Sequence, residues 1–474
     1  MTKKQKNILF FACFLFFFTS TPALVLYYQG YRLNFKERKF VQTGAFYFKV
    51  VPSHANILLN GKLKKKTDLF FGTTIIENLM PGNYQVRIEK EGYLPWEKNL
   101  EIKEREVTDA KNIFLFPEKV GLSQLSAPVK RFVVSPDNKK IILEKENGNG
   151  FLSFELYDIK TGATTTLFRI ETKPEDEPAF EILFSPDSKN AFFGYHQEKD
   201  YNYAFVKLET ATFLNPKIKN TTFDTFPLDP ERISFAPDNS DKVFFLNRNS
   251  LFSLDLTTNT FSSPFLKEIL TYQTYGKEVY YLDLKGFTFK TDLTFSSSKK
   301  INEAPLFLKN EVQYQLYLFP KDLFVKEEKV FYWLNQETGS FEKIFEPLES
   351  AWISQNKKTL AFVSNFEVWN FFLSEIYDQP LRKKGELVFL TRFSDPIKDP
   401  FWVTPGYLMF CLGNKIKIIE MDDRDKLNAV EISFNLPTDS SVSFEKPSIF
   451  WNPDDKKIYI IDQKILYNSD PLTR

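Results

Sequence analysis

Five copies of one short pattern limit what this chain can fold into more than any other feature. They are VVSPDNKKIIL from Val133, LFSPDSKNAFF from Leu183, SFAPDNSDKVFF from Ser234, WISQNKKTLAF from Trp352 and FWNPDDKKIYII from Phe450. Pro136, Pro186 and Pro237 lie 50 and 51 residues apart. A fixed period of this size suits one four-stranded blade of a repeat architecture. The pattern has a local cause. Pro has the fixed φ that starts a type I turn, and the Ser before it can bond back to the backbone, so the motif ends one strand and begins the next. The residues before each turn (Val134, Phe184, Phe235, Ile353, Trp451) and after it (Ile142, Phe192, Phe244, Leu360, Ile458) are apolar. Both strands are therefore expected to face a common core.

Weaker copies occur near Gly276, Glu327 and Gly406. Counting them gives eight turns from Asp137 to Asp454, whose 317 intervening residues make seven intervals of about 45. Segments such as FELYDIKTGATTTLF and LFSLDLTTNTFSSPF supply the hairpin that completes a blade. Eight blades are expected, with seven as the alternative. Only about twenty residues follow the last motif, too few for a whole blade. A strand near Ile113 to Leu122 is expected to close the ring, because an open ring would expose a sheet edge. The region 118–474 resembles the TolB-like and WD40-like β-propellers, whose repeats often carry an SPD turn. That resemblance implies a fold and a binding platform, not a ligand.

The 62 Lys and Arg against 61 Asp and Glu leave no basic excess of the kind a nucleic-acid binder shows. With 43% hydrophobic residues and 52 Phe, the chain has ample material for a large core. Cys13 and Cys411 are the only cysteines, and His54 and His196 the only histidines. Internal disulfides, Cys-based metal clusters and Ser/His or zinc/His chemistry therefore have almost no raw material.

Ahead of the repeats, ILFFACFLFFFTSTPALVLYY (Ile8 to Tyr28) is 21 residues without a charge, about 31 Å as a helix and enough to span a bilayer. Lys3, Lys4 and Lys6 precede it, and Tyr27-Tyr28 suits a membrane interface. The expectation is a cytoplasmic tail at 1–6, a retained transmembrane signal anchor at 7–28 and a linker at 29–44. Cleavage near Thr21-Pro22-Ala23 is the alternative, since Pro22 would kink such a helix. Either way the remaining chain is placed outside the cytoplasm.

Residues 45–117 read as short strands separated by turns, the pattern of a small β-sandwich. Phe46, Phe48 and Val50 alternate, as do Ile57 and Leu59 before Asn60-Gly61, a pair suited to a tight hairpin. After Pro81-Gly82, Tyr84, Val86 and Ile88 alternate with Gln85, Arg87 and Glu89. Pro52, Ala55, Asn60-Gly61, the LMPGNY turn and EGYLPW together resemble a PEGA domain, an all-β module of exported bacterial proteins, although the tetrapeptide that names it is absent. The resemblance implies a cell-surface location and a spacer or binding role, with no catalytic residues. The run KLKKKTD, with Lys62, Lys64, Lys65 and Lys66, is expected to be a solvated loop that keeps a sheet edge from pairing. Tyr93 and Trp96 are expected to pack beneath their own turn.

No phosphate-binding Gly-Lys-Ser/Thr loop, His-Glu-x-x-His, Gly-x-Ser-x-Gly or Cys-x-x-Cys occurs. Two carboxylate runs, ETKPEDEP (Glu171 to Pro178) and MDDRDK (Met421 to Lys426), lack the ligand spacing of a calcium loop and are expected to be polar loops. His196 is expected to be an ordinary loop residue. No catalytic, cofactor-binding or metal residue is therefore assigned. The expected function is that of a membrane-anchored, extracytoplasmic, non-enzymatic scaffold whose propeller binds a protein, peptide or cell-wall glycan. The alternatives are a glycan-active enzyme using propeller carboxylates and a component of an envelope assembly.

Overall fold

A computed structural model of the chain describes residues 3–34, 38–147, 151–171, 179–197, 200–208, 224–226, 228–438 and 440–473. The carboxylate run of residues 172–178 lies outside them. One helix, α1 (Lys3–Tyr28), runs unbroken through Pro22 with its apolar side chains exposed. It is long and apolar enough to cross a membrane, with a mean hydropathy of 2.2. A hairpin of Tyr31–Asn34 and Lys39–Gln42 joins it to the first folded unit.

That unit is a sandwich of two sheets. Thr73–Leu79, Gly44–Val51 and Val107–Phe114 form one, and Lys62–Lys66, Asn56–Leu59, Gly82–Glu89 and Trp96–Ile102 the other. Phe46, Phe48, Val50, Ile57, Leu59, Val86 and Ile88 meet between them, as their alternation requires. Asn60 and Gly61 take φ of 51° and 74° in a two-residue turn between paired Leu59 and Lys62. The lysine run is an edge strand rather than a loop.

Behind it, eight sheets of at least four strands follow among the described residues. Their first strands are Arg131–Val134, Glu181–Phe184, Arg232–Ala236, Ile269–Tyr275, Tyr314–Phe319, Ser350–Ile353, Ile397–Thr404 and Ser448–Asn452, which begin what we call blades 1 to 8. First strands of neighbouring blades touch one another, as in blades 4 and 5 and blades 7 and 8, and are therefore innermost. Each pair of neighbours shares one apolar cluster. Phe154, Phe180 and Phe193 lie between blades 1 and 2, and Val129, Tyr157, Tyr459 and Leu466 join blade 8 back to blade 1. A ring held by such face-to-face packing needs bulky side chains on both faces of each sheet, which accounts for the abundance of Phe.

The motif turns behave as their chemistry predicts. Ser135 Oγ donates to Asp137 Oδ1 at 2.6 Å and accepts the Lys140 N–H at 3.0 Å, while the Asn138 N–H donates to the Ser135 carbonyl at 2.9 Å. Ser185 repeats this with Asp187 and Asn190, and Ser354 with Asn356 and Thr359. Val133 pairs with Ile142, Leu183 with Phe192 and Ile353 with Leu360. Successive turns are also linked: Ser188 Oγ accepts the Asp137 N–H, and the Asn190 side chain donates to the Ser240 carbonyl. Because Ser185 and Asn190 are both buried, Ser185→Ala leaves the Asn190 N–H without its acceptor and should cost about 1–3 kcal/mol. A urea midpoint equal to that of the parent would contradict this.

Two expectations for the ring also need correction. The copy near Glu327 is the turn between the second and third strands of blade 5, and its innermost turn lies instead between Phe319 and Asp322. Closure is made by Lys119–Ser126, which pairs antiparallel with Ile465–Ser469, whereas Ile113 belongs to the sandwich, paired with Val50. A short strand, Ser433–Asn435, adds parallel to the same closing strand.

Candidate functional site

The sandwich is seated on the turn-bearing face of the ring, held by the segment Glu420–Asn428 of blade 7 and by the long loop of blade 6. Strand Trp96–Ile102 points Lys98 into this contact, where its side chain is fully excluded from solvent. Its ammonium lies 3.2 Å from Glu420 Oε2 and 3.5 Å from Asp422 Oδ1, and it donates to the Asp422 carbonyl. Trp96 Nε1 donates to Glu420 Oε1 at 3.0 Å, and Asn428 Nδ2 to Glu420 Oε2 at 2.8 Å. Asp425 accepts the Asn99 N–H at 2.7 Å, and Arg424 donates to the Asp109 carbonyl at 2.8 Å.

Burial pushes the Glu420 carboxyl up, against the attraction of Lys98. Burial pushes Asp422 the same way, but Arg424 and Lys98 outweigh it and hold this carboxyl below its usual range. The cations held by this acidic run are thus side chains of the chain itself. No group of three or more His, Cys, Asp or Glu arranged for a metal occurs among the described residues.

A second clamp comes from the long loop of blade 6. Lys111 bridges Asp109 at 2.8 Å and Asp378, and Gln379 accepts the Asp109 N–H at 3.2 Å. From the same loop, Arg382 binds Glu386 at 2.7 Å and reaches Asp423. Sequence reasoning missed this contact, although Lys98 shares the inward register of WEKNLEI with Trp96, Leu100 and Ile102, where the alternation calls for an apolar residue. The density of carboxylates in MDDRDK was a weaker signal, since it reads equally well as a solvated loop. Trp96 does pack into the sandwich core, and its indole N–H also reaches the ring. Tyr93 packs against that core partly buried, beneath Lys90. His196 is not the loop residue expected: it lies in the strand Asn190–Gln197, paired with Tyr201, and is mostly exposed, edge-on to that ring and 3.9 Å from Asp229.

The opposite mouth of the ring is clear of the sandwich among the described residues. There, where the innermost strands of blades 2 to 5 begin, Glu181, Glu231, Arg232, Thr271, Gln313 and Gln315 line a cavity of about 670 Å³, with Lys326 and Glu328 at its margin. Arg232 is pre-positioned. It donates to Thr271 Oγ1 at 3.3 Å and Gln273 Oε1 at 2.6 Å, and its guanidinium lies 5.5 Å from the centre of the Tyr272 ring. Tyr272 is fixed by donating to the Phe244 carbonyl at 2.9 Å, and burial pushes its phenol up to about 12. Glu181 accepts the Tyr201 hydroxyl at 2.9 Å. Lys326 donates to the Glu349 carbonyl at 2.9 Å, and burial lowers its ammonium from the usual lysine range. The mouth therefore offers fixed donors and acceptors of both signs in a concave site, which suits a polar, extended ligand.

No curated protein matches the sequence. Among solved structures, the chain is similar to BamB from Moraxella catarrhalis, at 10% identity over 74% of this chain and 99% of that one, with a TM-score of 0.44. It is also similar to the Dos1 propeller, at 11% identity over 74% and 94% of the two chains, with a TM-score of 0.46. The ring's own topology identifies it as a β-propeller. Residues 49–114 match the family model of the PEGA domain, so the chain joins an apolar helix, a PEGA domain and a β-propeller in that order.

Proposed function

We propose that this chain is a membrane-anchored, extracytoplasmic binding protein of the bacterial cell envelope. In this reading α1 is a retained anchor, the PEGA domain a rigid spacer and the propeller a non-enzymatic platform. The observation that carries it is the seating of the PEGA domain on one face through Lys98, which leaves the opposite mouth, with Arg232 fixed in it, clear of that domain among the described residues. Propeller mouths of this shape accommodate extended segments, so a polar stretch of a protein or peptide is the favoured ligand and a cell-wall glycan the next.

Crosslinking with mass spectrometry on intact cells tests this. Envelope partners should be captured near Lys326, and Arg232→Glu should reduce their recovery about tenfold, equivalent to about 1.4 kcal/mol. Capture of cytosolic proteins alone would sink the reading. Glu181 and Glu231 line the same mouth, which keeps a glycan-active enzyme as the second reading. If Glu181→Gln and Glu231→Gln leave polysaccharide hydrolysis unchanged, that reading fails.

A further inference from the structure

Sheet order leaves one side of the PEGA domain uncovered. The latch contacts lie on Trp96–Ile102 and Val107–Phe114, and the edges opposite them are Lys62–Lys66 and Thr73–Leu79. The first of these is exposed along its whole length, presenting Lys62, Lys64, Lys65 and Lys66 around Leu63. Next to it, Leu69, Phe70 and Phe71 stand 63, 84 and 77% exposed.

This apolar tip is built, not frayed. Asp68 Oδ1 accepts the N–H groups of Phe70 and Phe71 at 2.9 and 2.6 Å, and Oδ2 accepts the hydroxyl and N–H of Thr73 at 2.6 Å each. Those bonds, that of the Thr73 hydroxyl foremost, hold the Asp68 carboxyl down to about 2. Ser53 Oγ donates to the Leu69 carbonyl at 2.7 Å. Gly72 has φ of 66°, and a Cβ there would lie 2.1 Å from the Val50 carbonyl oxygen, so the turn admits no other residue. A rigid turn that displays three apolar side chains beside four cations marks an interaction surface.

The anchor indicates what it meets. Arg32, just beyond α1, donates to Asn78 at one end of the uncovered strand Thr73–Leu79 at 2.7 Å, and the tip leaves from the other end. The two are therefore about 20 Å apart along a single edge. Over residues 62–79 the four lysines face Asp68, already fully hydrogen-bonded, and Glu77. We propose that this edge lies on the bilayer, with Leu69–Phe71 inserted at the headgroup boundary and the lysines on anionic lipid headgroups. The sandwich then lies flat, and the propeller is held on its far side, away from the lipid. The inference rests on the reading of α1 as a membrane anchor.

The test uses the full chain carrying Cys13→Ser and Leu69→Cys, labelled at position 69 with an environment-sensitive fluorophore. The protein is placed in nanodiscs of phosphatidylcholine alone or mixed with phosphatidylglycerol. In the anionic discs the label should shift to the blue and lose most of its quenching by iodide. Replacing Lys62, Lys64, Lys65 and Lys66 by Gln should restore that quenching severalfold, while a label at exposed Thr258→Cys on the propeller stays quenchable throughout. Protein that enters the discs but leaves position 69 in water in both lipids overturns the inference and spares the anchor. Equal insertion in neutral and anionic discs overturns the role of the lysines. Failure to enter either disc overturns the anchor reading and this one with it.

Discussion

Replacing Lys98 with methionine will destabilise the protein by about 3–5 kcal/mol, the usual cost of removing one partner from a buried ion pair. Methionine nearly matches the volume of the lysine stem, so little of the loss arises from a cavity. What remains is Glu420 and Asp422 at a buried interface without the ammonium that faces both. The expected phenotype is release of the PEGA domain from the ring before either unfolds, seen as faster hydrogen exchange along Trp96–Ile102 and Asp422–Lys426 while the blade cores stay protected.

The deficit should depend on pH. The Glu420 carboxyl is already raised above its ordinary 4.5 by burial, so the folded state holds this proton more tightly than the unfolded chain. Its contribution to stability therefore falls as pH rises above 4.5. Without Lys98 the carboxyl rises further, and the loss should be largest near pH 7 and shrink toward pH 4.5. Glu420→Gln combined with Lys98→Met should recover much of it. A Lys98→Met variant with unchanged exchange and melting at pH 7 would mean that the latch does not hold the two domains together.

How much of this was legible beforehand follows from where the physics is local. Ser135, Ser185 and Ser354 bond within five residues of themselves, so their turns were readable from short words of sequence. The same holds for Asn60-Gly61 and for the alternation of Phe46, Phe48 and Val50, each an intrinsic backbone or periodicity effect. The closing strand was readable only in outline, since Ile113 and Leu122 both look like strand residues and nothing local says that one pairs with Val50 and the other with Ser469. Least legible were contacts spanning more than 300 residues, such as Trp96 with Glu420 and Asn99 with Asp425. The open mouth was equally hidden, because Glu181, Arg232, Thr271 and Gln315 come from four blades and share no motif. The Asp68 turn could have been found, since an Asx turn followed by Leu-Phe-Phe-Gly puts apolar residues where a solvated loop has no use for them.

Leu122→Asp should be still more damaging than loss of the latch, since it attacks the seam at which the ring is closed. Leu122 is buried with Val120, Met409, Trp451 and Ile458 in the cluster between blades 7 and 8, and its strand gives blade 8 its outer partner through pairing with Ile465–Ser469. Losing the leucine alone costs about 2–5 kcal/mol, and an unpaired carboxylate in the same site adds several more unless it protonates. Most of the chain's margin would be consumed, given that domains are typically stable by only about 5–15 kcal/mol. Should that variant fail to accumulate, Leu122→Ala isolates the mechanism, because it weakens the seam without a charge. Hydrogen exchange should then rise first along Ile465–Ser469 and Lys457–Asp462, whose outward hydrogen bonds depend on the closing strand, and later in blades 2 to 6. Ile182→Ala, a comparable truncation between blades 1 and 2, should not favour blade 8. If both variants opened all blades together, closure would be shared evenly around the ring. An early opening confined to blade 8 would place the weakest point of the propeller where the segment leaving the PEGA domain enters it, so that forces on the PEGA domain are felt first at the seam.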